Sequence, residues 1–136
     1  SGLLILTNDG DFTFRLTHPR HEMKKTYIAM VRGVPGKGDM EQIRKGICIE
    51  DYITAPAEIE ILKSERITTE KKQTQDAVIK ITIHEGKNRQ VRKMCEAMGH
   101  PVITLKRVAI DRVQLGDLEE GNWRLLSEEE IHWLSK

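Results

Sequence analysis

The residues best equipped for chemistry lie in one run, Glu85-Gly86-Lys87-Asn88-Arg89-Gln90-Val91-Arg92-Lys93-Met94. Lys87, Arg89, Arg92 and Lys93 crowd cations at the predicted start of a helix, where the macrodipole is already positive. Each exposed cation is disfavoured there by about 0.3–1 kcal/mol. A sequence shaped only for helix stability places Asp or Glu in that turn. An anionic partner, either a phosphate backbone or a catalytic carboxylate, offsets the cost. Arg89, Arg92 and Lys93 fall at i, i+3 and i+4, on one face. Val91, Met94, Cys95 and Met98 follow helical spacing on the opposite face. Asn88 is the expected N-cap and Gly99 the expected stop. The competing reading is a solvated charged face, partly neutralised by Arg92–Glu96, and helix grammar alone does not separate the two.

Other candidates are weaker by themselves. Tyr27, two residues after Lys25, lies mid-strand, either as an ordinary half-buried tyrosine or as an aromatic platform for a base. Lys106, Arg107 and Arg112 extend the basic surface toward phosphates or are scattered strand charge. His18 and His21 lack further ligands at metal spacing, and there is no GxSxG, HExxH or P-loop pattern.

Stepping along the chain identifies the elements that must carry these residues. Lys25–Arg32 alternates as a strand, with Tyr27, Ala29 and Val31 on one face and Ile28 and Met30 on the other. Ala77–His84 alternates as strongly, with Ile79, Ile81 and Ile83 on one side. Leu3–Thr7, Ile47–Glu50 and Ala57–Leu62 read as further strands, and Pro101–Leu115 as two strand-like runs. Phe12–Thr17 reads as a short helix, and Asp39 as the N-cap of a helix ending at Gly46. The polar stretch from Ser64 to Asp76 reads as a loop or hairpin end. Ser127 caps a closing helix, with Glu130 in the capping-box position. The pattern predicts a single α+β domain over residues 1–136, with a mixed, mainly antiparallel sheet and a few short helices.

The 22 Lys and Arg nearly balance the 21 Asp and Glu, so only the placement of charge is informative. Basic residues dominate between Lys80 and Arg112, whereas acids gather at 117–120 and 128–130. Cys48 and Cys95 stand apart without CxxC spacing, as expected for reduced thiols in a cytoplasmic protein. No transmembrane run or signal peptide is predicted.

Several segments together resemble the ribosomal-small-subunit type of bacterial RNA pseudouridine synthases. They are Gly2-Leu3-Leu4-Ile5-Leu6-Thr7-Asn8-Asp9-Gly10, Arg15-Leu16-Thr17-His18-Pro19, Lys25-Thr26-Tyr27, the basic run from Glu85 to Met94, and Leu105-Lys106-Arg107. They occur in family order and span essentially the whole chain. The resemblance implies the pseudouridine synthase fold and isomerisation of a uridine in RNA, most plainly ribosomal RNA, with no metal or organic cofactor. It implies catalytic roles for Tyr27, which packs against the uracil and helps remove the C5 proton, and for Arg92, which ion-pairs with the catalytic aspartate. Leu105 then lines the uracil pocket, and Lys25, Lys87, Arg89, Lys93 and Arg107 bind the substrate RNA. Such phosphate contacts position an RNA without reading its sequence.

In the family the catalytic aspartate lies in a Gly-Arg-Leu-Asp motif just before the segment that matches Ser1-Gly2-Leu3-Leu4. That motif does not occur in these residues, and Asp9 and Asp11 belong to the following turn. The expectation is therefore the C-terminal portion of a catalytic domain, inactive in isolation. The alternatives are a non-catalytic RNA-binding module and a ribosome-associated domain. A truncated sheet is also expected to expose a strand edge through which the chain dimerises.

Overall fold

The computed structural model describes residues 2–10, 13, 23–68, 73–87 and 89–134. Its central strand, β1 (Lys25–Arg32), is the one predicted from alternation, with the same bounds. Ala29 and Val31 are fully buried, and Tyr27 packs against the same apolar cluster. A helix α1 (Lys37–Lys45) follows, then a two-stranded ribbon of β2 (Cys48–Ile49) and β3 (Tyr52–Ile53). A long hairpin pairs β4 (Glu58–Thr68) with β5 (Gln73–Ile83). Helix α2 (Gln90–Ala97) leads to β6 (Val102–Ile110), the short β7 (Val113–Gln114) and the closing helix α3 (Glu128–Leu134).

The main sheet has the order β4-β5-β1-β6-β7. Both β5 and β6 run antiparallel to β1 on its two sides, so the chain leaving β5 must cross β1 to reach β6. Helix α2 lies on that crossover. Its Val91, Met94 and Cys95 are buried, as its spacing predicts, together with Ile79, Ile81 and Ile83 of β5. Burying such side chains stabilises by about 1.5–3 kcal/mol each.

Three expectations change, and one open alternative is decided. Leu3–Thr7 forms no strand: Gly2 makes a single parallel bridge to Arg107, and Leu4 and Leu6 are exposed. The Arg107 guanidinium bonds to the Leu3 carbonyl, so that acceptor is taken and no ladder continues. The polar stretch after Ser64, read as a loop or hairpin end, is the outer half of the hairpin, paired from Lys63↔Val78 to Thr68↔Gln73. Backbone pairing continues the ladder there without apolar alternation to announce it. Helix α1 begins earlier, with Gly36 as N-cap, and Asp39 serves as its third residue, accepting the Gly36 N–H at 2.9 Å. Helix α2 starts at Gln90 with Arg89 as N-cap, whereas Asn88, the expected cap, lies outside the described residues. Of the helix expected over Phe12–Thr17 only Thr13 is described, and His18 and His21 also fall outside.

Gly46 ends α1 as predicted, at φ 116°, and a Cβ there would stand 2.4 Å from the Thr54 carbonyl oxygen. Gly46→Ala is expected to destabilise the fold by about 1–3 kcal/mol. The check is a lower urea midpoint at unchanged slope.

At the other end, Ser127 and Glu130 form the predicted capping box, with N–H···O contacts of 2.9 and 3.1 Å. Arg124 adds a bidentate pair to the buried Glu130 at 2.6 and 2.7 Å. The Arg124 hydrogen bonds, followed by the Ser127 N–H, hold the Glu130 carboxyl at about 2, against an ordinary 4.5. Because the folded value is depressed, its stabilisation is complete above pH 4.5 and is lost as pH falls toward 2. Arg124→Ala should flatten that part of the acid-unfolding curve; an unchanged curve would show that the pair contributes nothing.

No helix among the described residues is long and apolar enough to cross a membrane.

Candidate active site

Cross-strand register sets the floor of the site. Tyr27 in β1 is flanked by Ile81 of β5 and Arg107 of β6. The next row along the strands is Ile79, Ala29 and Leu105, and the preceding row is Ile83, Lys25 and Ile110. Paired residues share a face, so Tyr27, Leu105, Lys25 and Arg107 are neighbours on the side that α2 covers. Tyr27 and Leu105 are both half-buried against the core. An aromatic ring beside an aliphatic side chain on a partly open face suits a flat heterocycle.

Cations border this floor. The Lys25 ammonium reaches the loop after β5, where it lies 2.5 Å from the position of a Cβ on Gly86. A methyl group on Gly86 would displace that ammonium. Burial, and then the neighbouring Arg107 charge, push the Lys25 pKa down. Among the described residues no carboxylate ion-pairs with Lys25, Arg107 or Arg92. Two adjacent cations without an internal counter-ion make a site that an anion completes.

The loop and helix start that carry the basic run are built around Glu85. Its carboxylate accepts the Tyr52 hydroxyl, the Ala55 N–H at 2.7 Å and the Gln90 amide at 2.8 Å. Burial alone pushes the Glu85 pKa up, but these bonds together with the Lys87 charge hold it below the ordinary value. Gln90 in turn accepts the Lys87 N–H at 3.1 Å. The Lys87 ammonium sits 4.5 Å from the centre of the Tyr52 ring, a cation–π contact. Arg89 adopts a left-handed conformation (φ 55°) and is exposed. Arg92 occupies the third helical position, half-buried and without a partner among the described residues. The anticipated Arg92–Glu96 pair is not formed.

Not every residue predicted for RNA stands free. Lys93 pairs with Glu50 at 3.0 Å, an exposed contact of about 0–1 kcal/mol that a phosphate can displace. Arg107 directs Nε, at 2.8 Å, and Nη2 to the Leu3 carbonyl, and its own carbonyl accepts the Leu3 N–H at 2.9 Å. It thus anchors the N-terminal segment beside β6. Lys106 pairs with Ile28 and faces the other side of the sheet, whereas Arg112 lies over the Trp133 ring at 5.8 Å. Sequence reasoning missed Glu85, Gln90 and Tyr52 as working residues. The available signal was Gln90, a polar residue four before Met94 in the buried stripe.

A sequence profile of the RNA pseudouridylate synthase family matches residues 1–97. The ribosomal large subunit pseudouridine synthase B of Bacillus subtilis is 47% identical over 131 residues, covering 96% of this chain and 51% of that protein. The ribosomal large subunit pseudouridine synthase E of Vibrio parahaemolyticus is 37% identical, covering 90% and 54%. A crystal structure of a pseudouridylate synthase superposes with a TM-score of 0.79 at 34% identity, over 94% of this chain and 52% of that one. The chain therefore spans about half the length of the proteins it matches.

Proposed function

Because the chain belongs to the RNA pseudouridylate synthase family, we propose that it forms part of an enzyme converting a uridine of ribosomal RNA to pseudouridine. The observation that carries this reading is the floor of Tyr27 and Leu105, bordered by Lys25, Arg107 and the basic start of α2. The reaction breaks the bond from ribose C1′ to uracil N1, forms a bond from C1′ to C5, releases the C5 hydrogen as a proton and leaves N1 to take up a proton, so that substrate and product are isomers. A base removed from its stack needs an apolar pocket and a ring to lie against. Tyr27 supplies the ring and, through its hydroxyl, an acceptor for the C5 proton; Leu105 closes the pocket. Arg92 holds a carboxylate ionised and oriented by charge-assisted hydrogen bonds. We place that carboxylate on a segment preceding Ser1 in the full-length protein, where the family's Gly-Arg-Leu-Asp motif falls. Lys25, Lys87, Arg89 and Lys93 serve the RNA backbone, and Arg107 contributes charge while anchoring Leu3.

The test uses ribosomal RNA tritiated at uridine C5. The full-length protein should release label, whereas residues 1–136 alone should not. RNA binding without release by the full-length protein would overturn the enzymatic reading, and release by residues 1–136 would show the nucleophile to lie within them. We assign the enzyme to the cytoplasm, where Cys48 and Cys95 are expected to stay reduced. The expected dimer would use β6, which between Val102 and Lys106 pairs only with β1 among the described residues. Sedimentation over a range of concentrations should show the chain associating; a monomer throughout would refute it.

A further inference from the structure

We propose that Glu85, Tyr52 and Gln90 act as positioning residues, fixing the arm formed by Lys87 and the start of α2 so that Arg92 meets its carboxylate partner already oriented. The inference deepens the synthase reading and rests on it. Three donors from separate places converge on one carboxylate: Tyr52 from β3, Ala55 from the loop beyond it, and Gln90 from the first position of α2. Gln90 is 3% exposed, and its other amide atom takes the Lys87 N–H, closing the turn between β5 and α2 on itself. Glu85 supplies what the helix start otherwise lacks. Arg89 offers no side-chain cap, and the first turn contains no acid. A carboxylate bonded to the Gln90 side chain at that end opposes the positive macrodipole and the neighbouring Lys87 charge.

The loop also lies close to β1: the ammonium of Lys25, two residues before Tyr27, stands 2.5 Å from where Gly86 would carry a Cβ. Misplacement of a catalytic group by about 1 Å is enough to cost about a hundredfold in rate. Tyr52 has a second task, because its ring holds the Lys87 ammonium.

The experiment compares Glu85→Ala, Glu85→Gln and Tyr52→Phe in the full-length protein, by single-turnover label release, RNA affinity and amide hydrogen exchange. Glu85→Ala should lower kcat about a hundredfold while the Kd for RNA changes by less than about threefold. Glu85→Gln should recover most of that loss. Its amide oxygen serves Ala55 and Gln90, and its NH2 group can donate to the Tyr52 oxygen. Tyr52→Phe should fall between the two. In Glu85→Ala the amides at the start of α2 should exchange faster than wild type while those of β1 do not. An unchanged kcat with unchanged exchange would overturn the proposal, as would a Glu85→Gln variant no better than Glu85→Ala. If Glu85→Ala does not fold, Tyr52→Phe and Glu85→Gln decide by the same readouts. A wild-type protein that releases no label refutes the synthase reading instead, and the exchange comparison still judges the arm.

Discussion

Replacing Tyr27 with Phe in the full-length protein should lower the rate of pseudouridine formation by about 10²–10⁴-fold, the usual contribution of a positioned proton acceptor. The structure makes this substitution clean. Tyr27 is half-buried and packs by its ring, between Ile81 and Arg107, and its hydroxyl bonds to none of the described residues. Removing that oxygen leaves no buried partner unsatisfied, so stability should change little. The ring against which the uracil lies is retained, so RNA affinity should stay within about threefold of wild type. Single-turnover release of C5 tritium separates the two effects. A rate within about threefold of wild type would remove Tyr27 from the chemistry and leave it a stacking platform.

Arg92→Ala should also disable turnover of the full-length protein, while in residues 1–136, which lack the proposed carboxylate, it should stabilise the helix. Arg92 sits in the first turn of α2, where the macrodipole disfavours a cation, and no described residue pairs with it. Its removal should therefore raise stability by about 0.3–1 kcal/mol. Loss of an arginine from a desolvated ion pair costs about 3–5 kcal/mol, which in a transition state is about 10²–10³-fold or more in rate. A gain in stability of residues 1–136 joined to a loss of rate in the full-length protein distinguishes a functional cation from a solvated one. A lower denaturation midpoint for Arg92→Ala in residues 1–136 would show that the arginine already has a partner there.

The residues that carry local periodicity were legible before any coordinates. Alternation in Lys25–Arg32 gave the strand and the buried faces of Ala29 and Val31. Helical spacing gave the apolar stripe of Val91, Met94 and Cys95, and the Ser127–Glu130 box gave the last cap. Without alternation, the stretch from Ser64 to Asp76 left a loop and a hairpin end undecided, and backbone pairing of its described residues makes it the hairpin. The apolar run misled at Leu3–Thr7, where apolar residues alone supply no hydrogen-bond partner.

The sequence by itself determined which faces are apolar, where the cations cluster and which family motifs are present. These depend on neighbours three or four positions apart, or on residue type alone. Only the tertiary structure decided what the charged and polar groups meet. The β5-to-β6 connection crosses β1 because β1 lies between them in the sheet, and this packs α2 on the face that carries Tyr27. Lys93 finds Glu50, Arg107 is spent largely on Leu3, and Glu85 gathers Tyr52, Ala55 and Gln90. Most of these partners lie 30 or more residues apart, and Arg107 and Leu3 are 104 apart. Hydrogen bonds and ion pairs are short-ranged in space and indifferent to distance along the chain, so only the closed sheet shows which cations remain for an external anion.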